Sequence, residues 1–281
     1  MCSSGFETQN LNKQRMMIVE QMLKNAQTPL LHIADVSGST FVNADCFDVF
    51  PFIEDKSIDA IICDLPYGTT ACKWDSILPL DKLWNEYKRV IKDNCPIVLF
   101  AQTPFDKVLG CSNLEWLKYE WIWEKSKASN FLQAKYMPMR VHENILIFCN
   151  GKANYFPQKT EGKAYRTRKI NEKHGNPDAY NNIPNYMNRE PIEMNGRLPR
   201  TVQYFKTAHT EGKLHPTLKP LELMEYLVKT YTNEGDMVLD NCMGSGTTNL
   251  ACIKLNRKSI GIEKEKQYYD VAVRRTSEYC H

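Results

Sequence analysis

Residues 237–248 read MVLDNCMGSGTT, an apolar run that ends in Asp240 and continues into a turn with two glycines, Gly244 and Gly246. The apolar run is typical of a buried β-strand, and Thr247 and Thr248 open a segment of helical composition. Glycine allows the backbone to approach a ligand closely, and a helix N-terminus offers unpaired N–H groups to an anion. The stretch therefore predicts a strand, a turn and a helix around a nucleotide-like ligand.

This turn differs from the two common phosphate-binding motifs. A P-loop needs a lysine after its last glycine, and a dinucleotide fingerprint needs a third glycine where this chain has Asn249. The next apolar run, residues 258–262, is followed by Glu263, whose carboxylate can accept hydrogen bonds from ribose hydroxyls. The pattern favours an adenosine ligand.

Seven apolar runs along the chain predict the strands of one large sheet. Segments of helical composition at 80–92 and 247–255 separate neighbouring runs. This alternation predicts an α/β fold with a mostly parallel, doubly wound sheet. The predicted strands are residues 40–44, 58–63, 96–101, 118–124, 143–149, 237–240 and 258–262.

Composition narrows the class of protein. The 281 residues, 42% of them hydrophobic, are enough for one sizeable core with an additional region, or for two small domains. No apolar run approaches the roughly 20 residues of a membrane span, and the N-terminus lacks the apolar region of a secretory signal. We therefore expect a cytoplasmic protein without a membrane partner. The ten cysteines form no CxxC pair and no zinc-type cluster, so no metal site is expected.

Residues 151–214 interrupt the alternation of strands and helices. The net charge of the whole chain is +3, yet this stretch holds twelve Lys and Arg against six Asp and Glu. Tyrosines lie among its basic residues, a composition that suits contact with phosphates and bases. It is predicted to be an inserted recognition region whose DNA-binding candidates are Arg166, Arg168, Lys169, Arg189, Arg197 and Arg200.

A second group of polar residues follows the apolar run at 58–63. Asp64, Leu65, Pro66 and Tyr67 bring a carboxylate, backbone carbonyls and an aromatic ring to the end of a buried strand. Ligands of open α/β sheets bind at this position. The segment is therefore a candidate catalytic site.

These segments together resemble the amino-methyltransferases of DNA. DLPY at 64–67 resembles their (D/N/S)PP(Y/F/W) segment, and DNCMGSGTT at 240–248 resembles DPFxGSGTT. HPTLKP at 215–220, VHENIL at 141–146 and NADC at 43–46 are similar to further motifs of that family. The order of the catalytic segment, the recognition region and the cofactor segment resembles the β class, in which the methyltransferase sheet is permuted.

The resemblance implies a seven-stranded, Rossmann-like methyltransferase sheet, circularly permuted, with an inserted DNA-recognition region. The implied parts are an N-terminal arm (1–28), a catalytic half (29–150), the recognition region (151–214) and a cofactor-binding half (215–281). The implied cofactor is S-adenosylmethionine and the implied partner is double-stranded DNA. Members of the class often form homodimers, and many belong to restriction-modification systems.

The resemblance also assigns roles to residues. The Asp64 carboxylate and the Pro66 carbonyl would accept hydrogen bonds from the target amino group, and Tyr67 would stack on a base turned out of the duplex. Gly246 belongs to the cofactor turn. The other implied cofactor contacts are Asp45 near the adenine, Glu263 at the ribose, Thr217, Lys219, Thr247 and Thr248 near the methionine portion, and Asp240 and Gly244 at the turn.

The chain differs from the family motifs at two places, and several other activities are alternatives to adenine methylation. Leu65 replaces the first proline of the tetrad, and Asn241 and Cys242 replace Pro and Phe after Asp240. The family usually has Ser at the Asp64 position for N4-cytosine, so Asp64 favours adenine N6. RNA and protein-glutamine methylation typically use Asn there. A non-catalytic DNA-binding or cofactor-sensing protein is a further alternative.

Overall fold

A computed structural model describes residues 32–69, 75–166, 193–208 and 218–280. In chain order the strands are β1 (His32–Val36), β2 (Ser39–Asn43), β3 (Ala60–Asp64), β4 (Ile97–Ala101), β5 (Leu117–Ser129), β6 (Arg140–Phe148), β7 (Tyr165–Arg166), β8 (Glu193–Met194), β9 (Val202–Phe205), β10 (Met237–Asp240) and β11 (Lys258–Glu263). The α-helices are α1 (Cys46–Val49), α2 (Leu80–Val90), α3 (Phe105–Ser112), α4 (Leu221–Tyr231), α5 (Thr247–Lys254) and α6 (Lys266–Cys280).

Nine of these strands form one mixed sheet in the order β1-β2-β11-β10-β3-β4-β6-β5-β9. The strands from β2 to β4 in this order are parallel, whereas β6 runs antiparallel to both β4 and β5. The predicted α/β fold is confirmed, and each of the seven predicted strands is present. The predicted number of strands was too low, because β1 and β9 extend the two edges of the sheet with short sequences that are only partly apolar.

Helices cover both faces of the sheet. Along β3 the side chains alternate, so that Ile61 and Cys63 pack in one core cluster and Ala60 and Ile62 pack in the other. Helix α2 contributes to the first cluster and helix α4 to the second. This arrangement is a doubly wound, three-layer sandwich, as the alternating sequence predicted.

The amphipathic sequences of the helices explain this packing. In α2 the residues Leu83, Trp84, Tyr87 and Val90 are buried, a spacing that places them on one stripe of a helix. Full burial of an apolar side chain of this size contributes roughly 1.5–3 kcal/mol. Helix α4 begins directly after Pro220, which cannot donate a backbone hydrogen bond and suits a helix start.

Residues 157–200 form a separate compact unit. In its described part, β7 pairs antiparallel with β8, and Thr160 forms a β-bridge with Arg197. This unit is shorter than the predicted region of 151–214, because β9 pairs in parallel with β5 and therefore belongs to the main sheet. The predicted N-terminal arm, 1–28, lies outside the described residues.

Neither a membrane span nor a metal cluster occurs in the described ranges. No helix there combines the length and apolar character needed to cross a bilayer. No group of three or more His, Cys, Asp or Glu side chains in these ranges could hold a metal ion.

A substitution at Gly246 tests the packing of α5 against α6. Its φ is +73°, and a Cβ on it would lie 2.8 Å from the Cβ of Ala272. We expect Gly246→Ala to lower the free energy of unfolding by about 2–4 kcal/mol, through left-handed strain and overpacking together. Gly38→Ala is the matched control, because Gly38 has φ +88° but no neighbouring atom within 4 Å. Urea unfolding of both variants checks this, and equal losses would contradict the packing argument.

Candidate active site

The carboxyl ends of three neighbouring strands meet at one edge of the sheet. Because β3, β10 and β11 are parallel, their last residues, Asp64, Asp240 and Glu263, reach the same cavity. The cavity has a volume of about 330 Å³, which lies within the range of small-molecule sites. The predicted site residues that line it are Asp45, Asp64, Pro66, Tyr67, Lys219, Asp240, Gly244, Thr247, Thr248 and Glu263.

The Asp64 carboxylate binds two side chains. The Tyr67 hydroxyl donates to its Oδ1 at 2.6 Å, and the Lys219 ammonium donates to its Oδ2 at 2.5 Å. An ionised carboxylate offers about four acceptor positions, so each oxygen keeps capacity for another donor. The resemblance implied that Lys219 contacts the methionine portion of the cofactor; in the structure its ammonium is paired with the Asp64 carboxylate.

Lys219 also contacts a second carboxylate, which the sequence analysis did not single out. Its Nζ lies 3.3 Å from Oε2 of Glu143, whose Oε1 accepts a hydrogen bond from Lys125. The side chains of Lys219 and Glu143 are only 8% and 10% exposed. Buried charges need partners, and this network of two lysines and two acids supplies them. The sequence signal that could have revealed Glu143 is the VHENIL segment at 141–146, which is similar to a family motif and contains this glutamate.

Burial and ion pairing act against each other in this network. Burial raises the pKa of Asp64 above its usual value, although Lys219 opposes the shift. Burial would also raise the pKa of Glu143, but the cations of Lys219 and Lys125 outweigh burial, and the pKa of Glu143 is lowered. Burial alone would lower the pKa of Lys219, yet the carboxylates of Asp64 and Glu143 raise it. Lys219 is therefore a stable cation beside Asp64.

The segment that carries Tyr67 is held by its surroundings. The Tyr67 ring stacks on Phe105, the first residue of α3, with centroids 5.5 Å apart and planes inclined by 25°. The next two residues are fixed as well, since the N–H groups of Gly68 and Thr69 donate to the Asp75 carboxylate at 2.8 and 3.0 Å. Sequence reasoning missed both Phe105 and Asp75.

Leu65, which departs from the family motif, is compatible with this arrangement. Its side chain is 3% exposed and packs in the same core cluster as Ile61 and Cys63. The substitution for proline thus adds an apolar contact, and the next residue, Pro66, still lines the cavity.

The turn after β10 is organised by Asp240. Its Oδ2 accepts from the Thr248 hydroxyl at 2.5 Å, and its Oδ1 accepts from the Cys242 N–H at 3.2 Å. Burial raises the pKa of Asp240 to about 6, although these two hydrogen bonds oppose the shift. The Thr247 hydroxyl accepts from Arg275 at 2.9 Å. Both threonines are therefore engaged by the protein itself.

Glu263 faces the same turn from the end of β11. Its Oε2 accepts from the Gly244 N–H at 2.9 Å, and its Oε1 accepts from the Glu265 N–H at 2.8 Å. Burial raises the pKa of Glu263 to about 7, and these two backbone hydrogen bonds oppose the shift. The remaining lone pairs of this carboxylate are available to hydroxyl donors in the cavity.

Two predicted cofactor residues have clear structural contacts of their own. Asp45 caps α1, because its Oδ1 accepts from the Phe47 N–H at 3.0 Å, and its Oδ2 pairs with Lys264 at 3.1 Å. Gly246 is the N-cap residue before α5 and lies close to Ala272, and it is absent from the residues that line the cavity. Thr217 lies outside the described residues.

Three of the predicted DNA-binding residues lie in the described part of the unit formed by residues 157–200. Arg166, Arg197 and Arg200 have exposed side chains there. The Arg197 guanidinium lies 4.5 Å from the centre of the Tyr165 ring, and its Nη1 donates to the Lys163 carbonyl at 3.1 Å. Arg168, Lys169 and Arg189 lie outside the described residues.

Comparisons with known proteins agree with this geometry. Residues 58–274 match the family of N6 and N4 DNA methylases. The chain is 37% identical to the type II methyltransferase M2.MboI of Moraxella bovis over 276 residues, which cover 87% of this chain and 90% of the relative. It is 29% identical over 258 residues to the DNA adenine methyltransferase YhdJ of Escherichia coli, with 87% of this chain and 84% of the relative covered.

Solved structures show the same fold. A complex of M1.HpyAVI with S-adenosylmethionine has a TM-score of 0.58 and 26% identity, over 84% of this chain and 97% of that chain. The PvuII cytosine-N4 methyltransferase has a TM-score of 0.61 over 85% of this chain and 86% of that chain, and at 13% identity it supports the fold alone. The chain therefore belongs to the N6/N4 DNA methylase family and is an S-adenosylmethionine-dependent DNA methyltransferase.

Proposed function

We propose that this enzyme methylates N6 of an adenine in double-stranded DNA. The observation that carries the proposal is the acid at position 64, which lines the cavity together with Pro66, Tyr67 and the cofactor turn. Within the family, Asp at this position is associated with adenine and Ser with N4-cytosine. The name of the relative YhdJ as a DNA adenine methyltransferase agrees with this choice.

The cavity suits S-adenosylmethionine at the end that holds Glu263. Glu263 keeps lone pairs for ribose hydroxyls, and Gly244, at φ +53°, leaves the turn without a side chain at that point. Asp45 borders the same cavity and is the proposed neighbour of the adenine. When bound, the cofactor supplies an electrophilic methyl group on a sulfonium, which leaves as a neutral thioether.

Asp64 and Pro66 would activate the target nitrogen. The lone pair of an adenine amino group is delocalised into the ring, so the nitrogen is a poor nucleophile. Hydrogen bonds from its two N–H groups to the Asp64 carboxylate and the Pro66 carbonyl favour a pyramidal nitrogen and stabilise the positive charge that develops as the N–C bond forms. The nitrogen then loses one proton, which the Asp64 carboxylate accepts.

Lys219 and Glu143 act as positioning residues for this step. Lys219 holds Oδ2 of Asp64, so the carboxylate has a fixed orientation before the base arrives. When Asp64 gains the proton, Lys219 still has a charged partner in Glu143 at 3.3 Å. The network thus avoids leaving an unpaired buried cation, which would be costly.

Arginines of the 157–200 unit are the proposed contacts to the DNA backbone and bases. Arg166, Arg197 and Arg200 are exposed there, and the stacked pair of Arg197 and Tyr165 presents a flat cationic surface. Arginine and tyrosine are common at DNA interfaces because they combine charge with planar contact area.

Product analysis tests the base assignment. We expect the enzyme, with isotopically labelled cofactor and unmethylated DNA, to yield N6-methyl-2′-deoxyadenosine after digestion to nucleosides. Mass spectrometry of the nucleosides, with sequencing of the modified positions, identifies the base and its site. N4-methylcytosine as the sole product would overturn the adenine assignment and leave the family assignment intact.

Asp64→Asn tests the role of the carboxylate. The amide keeps the size of the side chain but cannot take the proton, so we expect kcat to fall by about 10²–10⁴-fold. Tyr67→Phe keeps the stacking ring, so its kcat should fall by about tenfold or less. Single-turnover kinetics measure both, with the exposed Asp48→Asn as the control for loss of a surface charge. Full activity of Asp64→Asn would contradict the mechanism.

The pKa of Glu263 predicts how cofactor binding depends on pH. This carboxyl titrates near pH 7 because of burial, and only the ionised form accepts hydrogen bonds on both oxygens. Affinity for S-adenosylmethionine should therefore fall as the pH drops below about 7, by at most tenfold per pH unit. Calorimetry from pH 6.5 to 8 checks this. The Glu263→Gln variant should bind S-adenosylmethionine more weakly than wild type at pH 8, and its affinity should no longer depend on pH. If its affinity depends on pH as in wild type, Glu263 is not the source of that dependence.

A further inference from the structure

The connection between β5 and β6 exposes large apolar side chains. We call residues 130–139 the hairpin tip. Phe131, Leu132 and Tyr136 are 72%, 81% and 86% exposed, and Met137 and Met139 are also exposed. A contiguous group of exposed apolar side chains on a soluble protein usually marks an interaction site.

Internal hydrogen bonds hold the hairpin tip in a defined conformation. Asn130 has φ +69°, and its Nδ2 donates to Oε1 of Gln133 at 3.1 Å. The N–H groups of Tyr136 and Met137 both donate to the Gln133 carbonyl, at 2.8 and 3.0 Å. The apolar side chains are thus presented by a structured turn, which lowers the entropy cost of ordering them on a partner.

The charge of this segment identifies the class of partner. Between residues 126 and 142 the chain has Lys127, Lys135 and Arg140 and no Asp or Glu. The side chains of Lys127 and Lys135 are exposed. Aromatic and apolar side chains flanked by cations fit nucleic acid, in which stacked bases lie between anionic phosphates. A two-fold contact with a second copy of the chain would instead bring like charges together.

The hairpin tip adjoins the active-site cavity. Ser129, the last residue of β5, lines the cavity. Arg140, which is paired with Ser129 across the hairpin, donates to Gln102 at 2.8 Å, and Gln102 also lines the cavity. The ends of β5 and β6 from which the hairpin tip extends therefore border the cavity that a target base would enter.

We propose that the hairpin tip inserts into the DNA beside the target base pair, so that Phe131, Leu132 and Tyr136 occupy the space that the extruded base vacates. Removing a base from the stack costs a few kcal/mol, and apolar side chains inserted at the gap recover part of that stacking. The inference rests on the proposed function only in requiring that the base leave the duplex, and it holds equally for adenine and cytosine.

Substrates that differ in the strength of the target base pair test the insertion. The probe is a duplex with the site identified by sequencing, either fully paired or with an abasic position opposite the target base. We expect the double variant F131A/L132A to lose about 10- to 100-fold in kcat/KM on the paired duplex. On the duplex with the abasic position, kcat/KM of F131A/L132A should be within about threefold of the wild-type value, because the target base has no pairing partner and leaves the duplex more easily.

Leu114→Ala is the matched control, since Leu114 is an exposed leucine (65%) outside the hairpin tip and the cavity lining. Its kcat/KM should stay within about twofold of the wild-type value on both duplexes. An equal loss by F131A/L132A on both duplexes, or no loss on either, would overturn the proposal. Conversion of a dimer to a monomer by F131A/L132A in light scattering would show that the tip binds a second copy instead.

A binding measurement separates this proposal from the assignment of the methylated base. Wild type should bind a duplex containing one abasic position at least about fivefold more tightly than the intact duplex, and F131A/L132A should lose that preference. Fluorescence anisotropy measures both without methyl transfer. Methylation of cytosine would refute only the adenine assignment, whereas absence of the binding preference in wild type would refute only the insertion.

Discussion

The parallel pairing of β3 with β10 is the contact on which the active site depends. Val238 lies opposite Ala60 and Leu239 opposite Ile61, and these four side chains are fully buried. The pairing joins two strands that are far apart in the sequence, and it places Asp64 and Asp240 at one sheet edge. A shift of one residue would turn every side chain of a strand to the opposite face. The two hydrophobic cores therefore fix the register, and the register places the Asp64 carboxylate beside the turn that follows β10.

The acids at this edge are stabilised in two different ways. Asp64 is paired with the cation of Lys219, which in turn is paired with Glu143. Glu263 is held by backbone N–H groups, and Asp240 by one N–H group and a hydroxyl. Burial raises the pKa of Asp240 to about 6 and that of Glu263 to about 7 despite these donors, and it also raises the pKa of Asp64 despite Lys219. A cationic ligand with hydroxyl donors therefore suits the Glu263 end, and a neutral amino group suits the acceptors at Asp64.

The sequence predicted the parts of the molecule that follow local rules. Apolar runs such as 58–63 and 237–240 became strands because parallel strands are buried on both faces, and the motifs at their ends identified Asp64, Tyr67, Asp240 and Glu263. The partners of Asp64 were not predictable in the same way. Glu143, Lys125 and Lys219 lie on separate segments, and only the folded sheet brings their charges together. Gly246 was predicted to approach the cofactor, while its close contact with Ala272 depends on how α5 and α6 pack.

The hairpin tip and the buried acids share one property. Burying Asp240 and Glu263 in the charged form opposes folding, and exposing Phe131, Leu132 and Tyr136 forgoes the gain that burial of apolar groups provides. Neither feature stabilises the free protein. The two acids line the cavity, and the hairpin tip adjoins it through Ser129, which also lines it. A ligand that donates further hydrogen bonds to these acids, or that covers the exposed apolar side chains, would add stabilisation that folding alone does not provide. In the proposed function the cavity would hold the cofactor at Glu263 and the target base at Asp64, and the hairpin tip would contact the stacked bases beside that base.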